Sequence, residues 1–196
     1  VFVAIGEDGT VTITCHRSEM GQGVRTSMPM IVADELEADW KRVKIKQATG
    51  DEKRFGNQDT DGSRSTRHFF TPMRRCGAAA RTMLESAAAA RWGVPVGEVQ
   101  AKNHEVVHAK SGRRLGYGAL AKAAATQPVP DRDSVKLKDP SQFRYIGKGQ
   151  LKLVDGRDMV TGKAIYGQDV QLPGMLYAVV ARPAVYLGKV VSVDSS

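Results

Sequence analysis

A chain of 196 residues with 41% apolar and only 6% aromatic side chains holds one or two small domains, with cores of Val, Ala, Leu and Met rather than large rings. No apolar run approaches the roughly 18 residues that span a bilayer, which excludes a spanning helix within these residues. The formal charge of +8 is spread along the chain without interleaved aromatics, so it reads as a solvated basic surface or a docking face for an acidic partner, not as a nucleic-acid groove.

In chain order, VFVAIG-EDGT-VTITC reads as a β-hairpin. Val1, Val3 and Ile5 alternate with polar positions, as do Val11, Ile13 and Cys15, and Asp8-Gly9 supplies the turn. Residues 27 to 38 (SMPMIVADELEA) read as a helix with Ser27 as N-cap and Pro29 in the first turn; Met28, Ile31, Val32 and Leu36 share one face. Its carboxylates, Asp34, Glu35 and Glu37, read as an exposed polar face. WKRVKIKQA then alternates in a strand-like way through Trp40, Val43 and Ile45.

Residues 49 to 62 form a polar loop with three glycines, a length that inside a domain favours function over idle connection. The loop runs through GSRSTR into the longest predicted helix, Pro72 to Trp92, which is Ala-rich on all sides. Two short strands follow around Val99 and Val106, with Asn103-His104 as their turn, and then a helix from Tyr117 to Thr126. QPVPDRDSVKLKDP, with three prolines and many charges, reads as a linker. Beyond it the chain is strand-rich and glycine-punctuated, and KVVSVDSS ends in what reads as a strand. No signal peptide stands at the start, and Val1 is not a natural start, so the sequence is consistent with a removed leader.

Two loops carry possible chemistry. In EMGQG (19–23), the glycines let the backbone approach a ligand, and Gln22 offers an acceptor and two donors suited to the edge of a heterocycle. A helix starting directly behind would aim free N–H groups and its positive dipole end at the turn. In GSRSTR (62–67), hydroxyls and amides ahead of a helix could bind phosphate oxygens, with Arg64 or Arg67 as charged partner. Each loop alone is more simply read as a structural turn or an N-cap. Cys15 and Cys76 have no zinc-ligand spacing and read as free thiols. Of His16, His68, His104 and His108, only the last two are four apart, and across a strand such a pair does not converge on a metal. No residue is assigned as catalytic or as a metal ligand.

Taken together, EMGQGVRTSMPMIVADELEADWKRVKI, GSRST and MRRCGAAARTML, in this order, resemble the molybdenum-cofactor-binding subunit of the xanthine oxidase family of molybdenum hydroxylases. The nearest branch is the isoquinoline 1-oxidoreductase beta-subunit type, which includes bacterial membrane-associated aldehyde dehydrogenases. TGKAIYGQDVQLPGMLYAVVARP resembles the start of that family's α/β hammerhead domain. The resemblance implies an α+β fold: a mixed sheet with packed helices forms a cofactor-binding subdomain over 1–127, then a linker over 128–143 and the start of a strand-rich hammerhead-like domain over 144–196.

The resemblance also implies roles. Met20, Gly21, Gln22 and Gly23 match a loop contacting the pterin near molybdenum. Ser63, Arg64, Ser65 and Thr66 match the loop holding its phosphate, or the cytosine nucleotide of the dinucleotide form. Relatives hydroxylate an aldehyde or N-heterocycle with water-derived oxygen and pass electrons to [2Fe-2S] clusters on an iron–sulfur small subunit, in some cases with a cytochrome c subunit. Periplasmic or inner-membrane association is implied by the same branch. The family's catalytic glutamate lies in a late Gly-x-Gly-Glu-like segment that this sequence lacks, so the chain reads as an N-terminal fragment, inactive without the remainder of its own chain. A non-catalytic basic module binding an anionic partner through Arg64 to Arg75 is the alternative.

Overall fold

The period-2 pattern near the N-terminus forms the hairpin it predicts. In a computed structural model that describes residues 2–194, β1 (Val3–Ile5) pairs antiparallel with β2 (Val11–Cys15), Val3 opposite Ile13 and Ile5 opposite Val11. Val1, expected to open the first strand, and Ser195 and Ser196, expected in the last, lie outside the described residues. Val11, Ile13 and Cys15 are fully buried on one face, as alternation demands. Helix α1 (Val24–Glu35) follows, and β3 (Val43–Gln47) then runs parallel to β2, completing a mixed sheet in the order β1-β2-β3.

Met28, Ile31, Val32 and Leu36 are all buried, the stripe expected of α1. The helix starts three residues before the expected Ser27, so Pro29 falls beyond the first turn and costs one rung of the ladder. A single turn, α2 (Glu52–Phe55), sits within the polar loop. The long helix α3 (Arg64–Trp92) likewise starts earlier than expected and carries Pro72 inside it. The α1–α3 packing is close because Gly77 has no side chain: a Cβ there would lie 2.5 Å from the Val32 carbonyl oxygen.

A second antiparallel sheet holds β4 (Val99–Lys102), β5 (Glu105–His108) and a strand the pattern did not reveal, β6 (Arg113–Gly116). Helix α4 (Tyr117–Ala125) returns onto α3. His104, buried in the β4–β5 turn, joins the two sheets. Its Nδ1 accepts the Asp39 N–H (3.1 Å), which leaves Nε2–H to donate to the Gly9 carbonyl (2.8 Å). The mixed α+β class expected from the sequence is what forms.

Two expectations need correction. Asp34 and Glu35 are not an exposed face: both are fully buried. Lys138 Nζ donates to Asp34 (2.8 Å), and the backbone N–H groups of Tyr145 (2.9 Å) and Ile146 (3.0 Å) donate to its other oxygen. Arg74 (2.6 Å) and Arg81 (3.3 Å) from α3 pair with Glu35, while Lys138 and Arg144 pair with Glu37. The stretch 136–146, irregular apart from a 3-10 turn at Pro140–Gln142, is thus tied to the C-terminal end of α1. One compact unit spans Val1–Ala164, including the one-turn helix α5 (Gly156–Val160).

The second correction concerns the strands expected beyond residue 144. None forms among the described residues. In Ile165–Ser196, a separate unit, Leu176 and Val179 are over 90% exposed. A strand needs a neighbour to take its N–H and C=O groups, and no strand ladder among the described residues includes this segment.

Candidate functional site

The turn at 19–23 is organised by Glu19. Its Oε1 accepts the N–H groups of Gly21 (2.8 Å) and Gly23 (2.9 Å), and its Oε2 accepts that of Arg25 (2.8 Å). Gly21 (φ 104°) and Gly23 (φ 85°) take left-handed torsions that a side chain would disfavour, and Gly23 stands at the start of α1. This explains the early helix start: Glu19, and not Ser27, caps it. It also corrects the idea that the N-terminus of α1 is open to an anionic ligand, because the protein's own carboxylate occupies it. Gln22 closes the loop on itself, its Oε1 accepting the Met20 N–H (2.7 Å) and its Nε2 donating to the Ser18 carbonyl (3.1 Å).

The start of α3 is different. Ser63 precedes it in a left-handed conformation (φ 54°), and no side chain caps it, so its first-turn amides are free of a competing carboxylate. Arg64 turns onto Asp61 with a bidentate contact (2.6 and 2.7 Å). The two loops, some forty residues apart, are laced together. Thr60 Oγ1 donates to the Ser18 carbonyl (2.6 Å), Ser18 Oγ donates to that of Gln58 (3.1 Å), and Gln58 Nε2 donates to that of His16 (3.2 Å).

Between them lies a cleft of about 370 Å³. Of the residues singled out from the sequence, Met20, Gln22, Ser63, Ser65 and Thr66 line it; Gly21, Gly23 and Arg64 do not. Ser27, Thr60 and Asp61 also face it, none of which the motifs had indicated. The wall is therefore rich in hydroxyl groups and carries one amide side chain. Asp61 is neutralised by Arg64, so the cleft does not repel an anion. A volume of this order suits part of a small polar ligand or cofactor.

Behind the wall sit His16, which sequence reading set aside as a metal ligand, and Arg17, which it passed over. His16 is buried against Phe2 and Phe69; burial, then the neighbouring Arg17, pushes its pKa down to about 4, so the ring is neutral at physiological pH. Arg17 is completely buried. A signal existed for Glu19, an acidic residue just ahead of a glycine turn and a helix. For Arg17, whose partners are forty and more residues away, there was none. Among the described residues, no group of three or more His, Cys, Asp or Glu is arranged to hold a metal ion, and no helix is long and apolar enough to cross a membrane.

A family model described as a molybdopterin cofactor-binding domain matches residues 1–162. The chain is 37% identical over 217 residues to the isoquinoline 1-oxidoreductase subunit beta of Brevundimonas diminuta, covering 92% of this chain and 28% of that protein. It is 34% identical over 200 residues to the membrane-bound aldehyde dehydrogenase (pyrroloquinoline-quinone) of Gluconacetobacter polyoxogenes, covering 100% of this chain and 26% of that one. It thus spans little more than a quarter of the length of these curated relatives. Among solved structures, the reconstituted CO dehydrogenase from Oligotropha carboxidovorans matches 73% of this chain and 18% of its own with a TM-score of 0.54 and 21% identity, a likeness of fold.

Proposed function

The chain belongs to the molybdopterin cofactor-binding domain family, and from that premise we propose that its cleft is part of the seat of a molybdopterin cofactor in a longer oxidoreductase subunit. The observation that carries this reading is the meeting of two loops, some forty residues apart, around one hydroxyl-rich cleft at an uncapped helix start. The donor set fits. Gln22 would meet the polar edge of the pterin, with Met20 beside it. Ser63, Ser65, Thr66 and the first-turn amides of α3 after that of Arg64, which donates to the Asp61 carbonyl (2.9 Å), would hold the phosphate, or the linking phosphates of a cytosine dinucleotide form. Gly21 and Gly23 would serve through backbone shape, and Arg64 through its grip on Asp61.

The bound molybdenum centre would supply the two-electron oxidation of an aldehyde or N-heterocycle with water-derived oxygen. This chain's part is to bind and orient. The fragment by itself would be inactive, with the reaction's remaining groups contributed by other parts of the subunit. [2Fe-2S] clusters on an iron–sulfur partner, and in some assemblies a cytochrome c subunit, would carry the electrons away. The basic-module alternative has less support, because the face it needs is spent on ion pairs: Arg64 on Asp61, Arg74 on Glu35 and Arg75 on Asp133.

Replacing Gln22 separates a cofactor contact from a turn residue. In the full-length subunit, Gln22→Ala is expected to lower molybdenum and pterin content about tenfold, the worth of one good polar contact, while the thermal midpoint moves little. Full cofactor content in the variant would assign Gln22 to the turn alone.

A further inference from the structure

We propose that Arg17 is a positioning residue of this cleft, acting through Ser65. The proposal rests on the cofactor reading above. Arg17 leaves the end of β2 with no solvent exposure. Its Nε donates to Ser65 Oγ (3.0 Å), its Nη1 donates to the Asn57 carbonyl (2.7 Å) and side-chain oxygen, and its face lies 4.9 Å from the centre of the Phe69 ring.

A buried charge is normally paired with an opposite one, because leaving water uncompensated is costly. Among the described residues no carboxylate makes an ion pair with Arg17. Asp59 and Asp61 of the neighbouring loop favour its charge from a distance, but their direct bonds go to Arg64 (from Asp61) and to the Asn57 amide (from Asp59, 2.8 Å). Nη2 has no partner at all. Within the planar fork, that nitrogen sits between the edge held by Ser65 and the one held by Asn57.

Ser65 links this guanidinium to the cleft. A hydroxyl has one proton and two acceptor sites. With one acceptor site taken by the Arg17 N–H, the Ser65 proton is turned away from the guanidinium, towards the cleft that Ser65 lines. Arg17 thereby fixes where Ser65 stands and which way it donates, and an anionic ligand would add, through Ser65, to the counter-charge that Asp59 and Asp61 supply from beyond contact distance. An anionic group of the cofactor is the chemistry such a donor selects.

A double-mutant cycle on the loaded, full-length subunit tests this, reading the rate of pterin release by its fluorescence after oxidation together with molybdenum content. Arg17→Lys and Ser65→Ala are each expected to speed release about tenfold, and the double variant no more than either alone, because both remove one donor. Should Arg17→Lys fail to fold, Asn57→Ala loosens the guanidinium from an exposed position and completes the same cycle, about threefold with Ser65 present and nothing without it. Multiplying effects, or no effect of Arg17 or Asn57, would overturn the role given to Arg17 while leaving the cofactor reading intact. A wild-type subunit that holds no pterin would overturn both.

Discussion

Replacing Asp34 by Asn is expected to destabilise the fold by about 3–5 kcal/mol, the usual cost of removing one member of a buried charge network. Asp34 is fully buried and accepts from Lys138 and from the backbone N–H groups of Arg144, Tyr145 and Ile146. An amide of the same shape loses the charge that compensates Lys138 and turns N–H donors against N–H donors. That carboxylate holds the most donors of any group tying 136–146 to α1, beside the ties made by Glu35 and Glu37, so urea unfolding of the variant should give a much lower midpoint. A midpoint within experimental error of the wild type would show that the network is incidental.

The same network sets an acid limit. Burial alone would raise the Asp34 carboxyl, but the donors from Ile146, Lys138 and Tyr145 outweigh it and hold it below the usual carboxylate range. A depressed folded pKa means stability that is fully present above the unfolded value, near 4, and lost as pH falls through the folded one. His16 acts earlier. With its pKa down to about 4 against an ordinary value of 6.5, the unfolded state takes up the proton first, and stability declines as pH falls below about 6.5. Denaturation on acidification should therefore begin above the carboxylate range and steepen below pH 4, and the Asp34→Asn variant should lose Asp34's share of the steep part, with Asp8, Glu98 and Asp139, also held low, keeping theirs.

Thr66→Trp should act in the opposite sense, large on cofactor and small on fold. Thr66 is exposed at the start of α3 and lines the cleft. A surface substitution of this kind costs within about 0.5 kcal/mol. An indole in a cleft of about 370 Å³, however, takes space the cofactor needs. Molybdenum and pterin content should fall more than about tenfold, which requires only 1.4 kcal/mol of lost binding. A fully loaded Thr66→Trp subunit would mean that the cofactor does not enter this cleft.

The parts of the fold legible in the sequence are those fixed by neighbours. The hairpin of β1 and β2 followed from alternation and an Asp-Gly turn, and the buried face of α1 from its helical spacing. Local rules failed where the partner is remote. Ser27 looked like a cap because capping residues are read within a few positions, but Glu19, at the head of the EMGQG turn, reaches three amides of that turn and helix. Asp34 and Glu35 looked solvated because nothing nearby announces partners about forty and a hundred residues away. The strands expected beyond residue 144 had a strand-rich, glycine-punctuated composition but no backbone to pair with among the described residues. Of the site, GQG and SRST were each readable as a turn or a cap. Their meeting at one cleft depends on Ser18, Gln58 and Thr60, whose bonds across the two loops leave no trace in a linear pattern.

The central claim is that the two loops face one molybdopterin cofactor. Its most direct test is molybdenum and oxidised-pterin fluorescence per chain, measured on the native full-length protein purified without denaturant from cells supplied with molybdate. About one molybdenum and one pterin per chain are expected, both lost together in Thr66→Trp. Neither group present, or a quinone in their place, while another molybdoenzyme from the same cells is fully loaded, would contradict it.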